Sequence, residues 1–104
     1  MSFVFFAASK DPAERLDYTL PVRLGGDSIV GSPTVEVVDA ESLEVIPSDL
    51  VIGPVSTGAM TATIQGITFW VTGGSVGVYY IRFTFDTQSG RTLQRTMRLR
   101  VEQQ

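Results

Sequence analysis

The chain has 104 residues, 43% apolar and 18% charged, with a formal net charge of −3 and neither Cys nor His. A length of this order makes one domain, able to bury about 65% of its unfolded surface without covalent staples. The missing residue types exclude a disulfide scaffold, a Cys-ligated metal site, a thiol nucleophile and a His-based triad, and the acidic balance argues against nucleic-acid binding through bulk charge.

The chain opens on an apolar stretch, Phe3-Val4-Phe5-Phe6, with no basic residue ahead of it, which makes a poor secretory signal. No apolar run approaches the roughly eighteen residues of a transmembrane helix, so no membrane partner is expected. Residues 1–9 read either as an arm docked on another chain by strand addition or as a first strand buried on both faces. The domain proper is expected over 10–104. Asp11 to Arg15 allows one helical turn at most, with Asp as cap and Pro after it.

From there the apolar period is two. Leu16, Tyr18, Leu20 and Val22 alternate with Asp17, Thr19 and Pro21, a half-buried strand that Pro21 confines to an edge or breaks. A second strand, Thr34 to Val38, is expected after the Gly31-Ser32-Pro33 breaker. Asp39 to Ser42 reads as a turn, and Leu43 to Ile46 as a short continuation ended by Pro47. Leu50-Val51-Ile52 is interrupted by Gly53-Pro54 and resumes at Val55. Met60 to Gln65 and Ile67 to Thr72 form two runs, with a bulge or tight turn expected at Gly66.

The last third is the most regular. Tyr79, Ile81, Phe83 and Phe85 share one face of a long strand; Leu93, Met97, Leu99 and Val101 share one face of the next; Gln88-Ser89-Gly90 makes the hairpin between them. Arg95 falls on the apolar face of its strand, as a rim position or a contact to a neighbour. The fold class expected is all-β, an immunoglobulin-like antiparallel β-sandwich of about seven strands, without the Cys pair of antibody domains.

Charge is segregated along the chain. Residues 24–81 hold Asp27, Glu36, Asp39, Glu41, Glu44 and Asp49 and no Lys or Arg, whereas residues 82–104 hold Arg82, Arg91, Arg95, Arg98 and Arg100 against Asp86 and Glu102. Arg suits planar pairing with carboxylate or phosphate. The interface candidates are therefore Phe3, Phe5 and Phe6 in the amino-terminal stretch and Arg95, Arg98 and Arg100 in the final strand. Acidic surfaces of other subunits or of further copies of this chain are the expected partners. Two other readings of the Arg stripe are pairing within the sheet and contact with DNA.

No chemistry-bearing motif stands out. Asp39, Glu41 and Glu44 read as solvated turn charge, and with Asp49 they match no EF-hand spacing. Gly73-Gly74-Ser75-Val76-Gly77 has no following helix to hold an anion. No catalytic residue, metal, cofactor or small-molecule substrate is expected. Trp70, Tyr79 and Tyr80 offer the one alternative of another class, a carbohydrate-binding or adhesion module in which the rings stack on sugars; the competing reading places them in the core and its interfaces.

Five short motifs carry a resemblance: Lys10-Asp11-Pro12, Asp17-Tyr18-Thr19-Leu20, Gly26-Asp27-Ser28-Ile29, Gly73-Gly74 with Gly77-Val78-Tyr79, and Gly90-Arg91-Thr92. In this order they resemble small virion structural proteins of tailed bacteriophages with an Ig-like fold, of the fibre–DNA adaptor-like kind. The resemblance covers roughly residues 10–101 and weakens in the middle. It implies a non-enzymatic assembly subunit of head, neck, tail or fibre base, made in the host cytoplasm and carried in the virion.

Overall fold

A computed structural model of the chain describes residues 5–38, 42, 44, 45 and 49–103, with side chains from Lys10 onward. The alternating segments form β1 (Phe5–Lys10), β2 (Arg15–Arg23), β3 (Ile29–Val38), β4 (Leu50–Ala59), β5 (Ile64–Gly73), β6 (Gly77–Thr87) and β7 (Thr92–Val101). They make two sheets, in the orders β1-β7-β6-β3 and β2-β5-β4.

The inward residues of both sheets meet in one core. Leu20 and Val22 of β2, Leu50 of β4 and Ile67, Phe69 and Val71 of β5 face Ile81, Phe83 and Phe85 of β6 and Met97, Leu99 and Val101 of β7. Phe69 and Phe83 join the layers directly, with ring centroids 4.8 Å apart and planes at 51°, and Tyr18 extends the cluster 5.9 Å from Phe69. Both Phe rings are fully enclosed, and each such burial stabilises by about 1.5–3 kcal/mol. Successive side chains on a strand point to opposite faces, so the residues between these are left outward as Thr, Arg, Gln and Trp.

Several local expectations are corrected. Pairing is not antiparallel throughout, because β1 lies parallel to β7, from Phe5 beside Thr96 to Lys10 beside Val101. After β1 the chain crosses to the other sheet, so a parallel neighbour needs no hairpin. Gly31-Ser32-Pro33 does not precede a strand but sits inside β3, where the register to β6 shifts between Val30 and Thr34 and Gly31 adopts φ 71°. The extra residues are absorbed as a bulge.

Gly66 is not a hinge. The reversal lies at residues 60–63, where the Thr61 hydroxyl accepts hydrogen bonds from Thr63 N–H (3.2 Å) and Ile64 N–H (3.1 Å). β5 runs straight through Gly66, which pairs with Pro21 and Gly58. Its glycine makes room for neighbours, since a Cβ there would lie 2.9 Å from Thr19 Cγ2 and 3.0 Å from Met60 Cγ and Sδ.

Residues 11–14 form a turn and not a helix: Glu14 N–H donates to Asp11 O (3.1 Å) and Ala13 N–H to Asp11 Oδ1 (2.9 Å). Pro21 lies on β2, an edge strand, and the Gly53-Pro54 interruption is a register shift within β4. Of the expected continuation at Leu43 to Ile46, Val45 bridges back to Val38; Leu43, Ile46 and Pro47, like the turn residues Asp39 to Glu41, lie outside the described residues.

Candidate functional site

Each end of the double layer is closed by a polar lock that ties the two sheets together. At one end Lys10, 1% exposed at the close of β1, donates from Nζ to Asp11 O and to Gly73 O, both at 2.7 Å. Gly73 and Gly74, at φ 77° and 90°, turn the chain out of β5. Beside this turn Asp49 accepts from the Tyr79 hydroxyl (2.8 Å) and the Ser75 hydroxyl (2.5 Å), while Tyr79 Oη accepts from Ser75 N–H (2.8 Å). The Ser75 bond, ahead of the Tyr79 bond, holds the Asp49 carboxyl below the usual carboxylate range, and burial pushes the Tyr79 hydroxyl up.

At the other end Asp27, in the turn between β2 and β3, accepts from Ser89 Oγ (2.5 Å), Ser89 N–H (3.1 Å) and Ser28 N–H (2.9 Å), and Gln88 N–H donates to Ser28 O (2.9 Å). The Ser89 hydroxyl contributes most to holding the Asp27 carboxyl down at about 2. A carboxylate ringed by donors in this way is favoured over its neutral form. It braces the β2–β3 turn against the β6–β7 hairpin.

The outward face of the four-stranded sheet is cationic. Glu36, Arg82 and Thr96 form one row, with Arg82 Nη2 3.2 Å from Glu36 Oε1; Val38, Tyr80 and Arg98 form the next; Val78 and Arg100 form the last. Arg100 Nε lies 3.4 Å from Glu102, and its side chain is 61% exposed. Among the described residues Arg98 has no acidic partner. Val78 is 45% exposed.

Arg95 does not share this face. One residue out of phase, it turns to the side of the molecule, where it lines a cavity of about 320 Å³ with Pro21, Arg23 and Ile64. Phe5 and Phe6 lie in β1 beside Thr96 and Met97. Phe3 falls outside the described residues.

Trp70, Tyr79 and Tyr80 are not brought together. Trp70 sits half-buried on the outward face of the three-stranded sheet, with the Arg15 guanidinium 4.2 Å over its ring. Beside it Thr19 and Thr68 link hydroxyls at 2.9 Å. Tyr79 packs against the edge of the core and ends on Asp49, and Tyr80 is on the opposite sheet's outward face. Among the described residues no three His, Cys, Asp or Glu side chains converge to hold a metal ion.

A family model described as podophage GP4 fiber-tail adaptor protein gp77 matches residues 10–100. The chain belongs to this family. Membership makes it a virion-associated structural protein of a phage tail. No curated protein and no solved structure matches the chain.

The match begins at the buried lysine and ends in β7, so it spans both locks. In this adaptor-family chain four of the five motifs noted in the sequence close on one another: Lys10-Asp11-Pro12 on Gly73-Gly74, and Gly26-Asp27-Ser28 on the turn before Gly90-Arg91-Thr92. They hold the two ends of the scaffold together. Local reading missed Lys10 as a buried group and Arg23 as the companion of Arg95. The one signal for the cavity was a charge on the apolar face of β7.

Proposed function

We propose that the protein is a non-catalytic adaptor subunit of a podophage tail, an Ig-like sandwich that holds fibre to tail through the cationic outward face of its four-stranded sheet. Supporting the Ig-like reading, β2-β5-β4 and β7-β6-β3 follow the B-E-D and G-F-C strand orders of immunoglobulin domains, with the first strand beside the last. The observation that carries the contact surface is Arg98, which lacks an acidic partner among the described residues and stands between Tyr80 and the exposed Val78–Arg100 row. Tyr and Arg flanked by exposed aliphatic surface are the composition of protein-binding hot spots. The partner is an acidic surface on another tail protein, met through the paired geometry that guanidinium offers to carboxylate.

Tail particles lacking the chain provide the test. Added wild-type protein is expected to restore fibre attachment, and the R98E/R100E variant, folded normally by circular dichroism, to bind the particles about tenfold more weakly, a loss of about 1.4 kcal/mol. Equal binding by the two proteins overturns the assignment of this face. Fibre attachment without the chain overturns the adaptor role.

A further inference from the structure

We propose that the edge cavity lined by Arg23 and Arg95 receives the exposed Glu44-Val45 pair of a second copy, so that copies join head to tail. The cavity's lining combines two apolar residues, Pro21 and Ile64, with two arginines, Arg23 and Arg95. Arg95 spends one N–H on Gln94 O at 2.8 Å, and the Arg23 guanidinium has no hydrogen bond or ion pair among the described residues. Such a site fits a carboxylate carried beside an aliphatic side chain: the carboxylate bridges the two cations, and the aliphatic group covers Pro21 and Ile64.

The chain carries that combination at its far end. The cavity lies where β2 ends and β5 begins, the end closed by Asp27 and Ser89. The connection from β3 to β4 lies at the Lys10 end, since Val45 bridges Val38 at the close of β3 and Leu50 opens β4 beside Gly73. There Glu44 is exposed, its backbone N–H held by Ser42 Oγ at 3.3 Å, and Val45 is 56% exposed. Among the described residues the Glu44 carboxylate has no cationic partner. The neighbouring Asp39, Glu41 and Asp49 add to the negative charge of this connection.

The molecule is 40 Å long, several times the screening length of about 8 Å at physiological salt. Its two charged ends therefore cannot compensate one another within one copy, but they can between copies. A contact of this kind joins two different patches, and repetition closes a ring or extends a file of subunits. The ends measure about 27 by 20 Å, which limits the contact to roughly 500 Å² per partner, the range of weak association.

Sedimentation velocity of the full chain between about 10 µM and 1 mM, the range in which small interfaces associate, reads the contact. The wild type is expected to gain mass with concentration and to lose that gain in 1 M salt, where the screening length falls to ~3 Å. R23E/R95E and E44R are each expected to stay monomeric with unchanged circular dichroism, and R23E/R95E/E44R, which exchanges the charges of the two ends, to associate again. Monomer throughout for the wild type, or no recovery in the exchanged variant, overturns the proposal. Because R98 and R100 are intact in all these proteins, their binding to tail particles reports separately on the adaptor reading.

Discussion

Lys10 and Gly73 are 63 residues apart in the chain, yet the lysine Nζ donates to the glycine carbonyl at 2.7 Å. One bond thus links the last residue of β1, in the four-stranded sheet, to the last residue of β5, in the three-stranded sheet. The same ammonium holds Asp11 O, and Lys10 O accepts from Glu102 N–H at 2.9 Å. This residue fastens the β1–β2 turn, the end of β5 and the segment after β7 to one another.

Substituting Lys10 by Met keeps the volume and the aliphatic stem but removes both donors. Two half-buried carbonyls then lose charge-assisted bonds worth about 1.5–3 kcal/mol each. K10M is expected to lose about 3 kcal/mol in urea unfolding, and Tm to fall by roughly 12 °C or more for a domain of this size. A shift of a degree or two would show that the lysine is not part of what holds the sheets together.

Two closely surrounded glycines, Gly74 and Gly66, separate conformational strain from crowding. At Gly74, φ is 90°, and a Cβ would meet Leu50 Cδ1 at 2.9 Å and Val101 Cγ2 at 3.3 Å. G74A therefore carries a left-handed backbone cost of about 1–2 kcal/mol together with overpacking of about 1–3 kcal/mol. Gly66 has ordinary backbone geometry, and two of the three atoms its Cβ would meet belong to the flexible, exposed Met60. G66A is expected to cost about 1 kcal/mol and G74A at least twice as much, measured by chemical denaturation. Equal losses would contradict the difference in backbone.

Trp70 is the chain's one tryptophan, so its fluorescence reports on the outward face of the three-stranded sheet without interference. Arg15 covers it at 4.2 Å. R15A is expected to change the emission maximum or quantum yield while altering stability by no more than about 1 kcal/mol, the range for an exposed cation–π pair. An unchanged spectrum would show that the guanidinium does not rest on the ring in solution.

How much of this was legible in the sequence depends on the range of the cause. The alternation of Phe83 with Thr84 and of Leu99 with Arg100 marks inside and outside by local parity, and both fall where parity puts them. Parity does not choose partners, so the parallel seat of β1 beside β7 could not be read. Gly66 looks like a hinge because glycine usually is one; its reason is the approach of Met60 and Thr19, which only the folded sheet supplies. Arg95 announced itself as a charge among Leu93, Met97 and Leu99. Its companion Arg23 stands on another sheet, and no spacing rule connects them.

The locks also set the response to acid. Asp27 is held at about 2 by the Ser89 hydroxyl, ahead of its other donors, against about 3.9 for the residue in an unfolded chain. Between those values the unfolded state binds the proton and the folded state does not, so protonation favours unfolding. The stabilisation is complete above about pH 4 and is lost as pH falls through the folded value near 2. Asp49, lowered by Ser75 and then Tyr79, acts in the same direction at the other end. Tm measured from pH 5 down to 2 is expected to fall for the wild type and to fall less steeply for D27N, with D27N/D49N the flattest. D27N should also melt earlier at neutral pH, because an amide there accepts through one oxygen in place of two. If all three slopes coincide, the donors around Asp27 and Asp49 do not discriminate between carboxylate and acid, and the end locks are held by their backbone bonds alone.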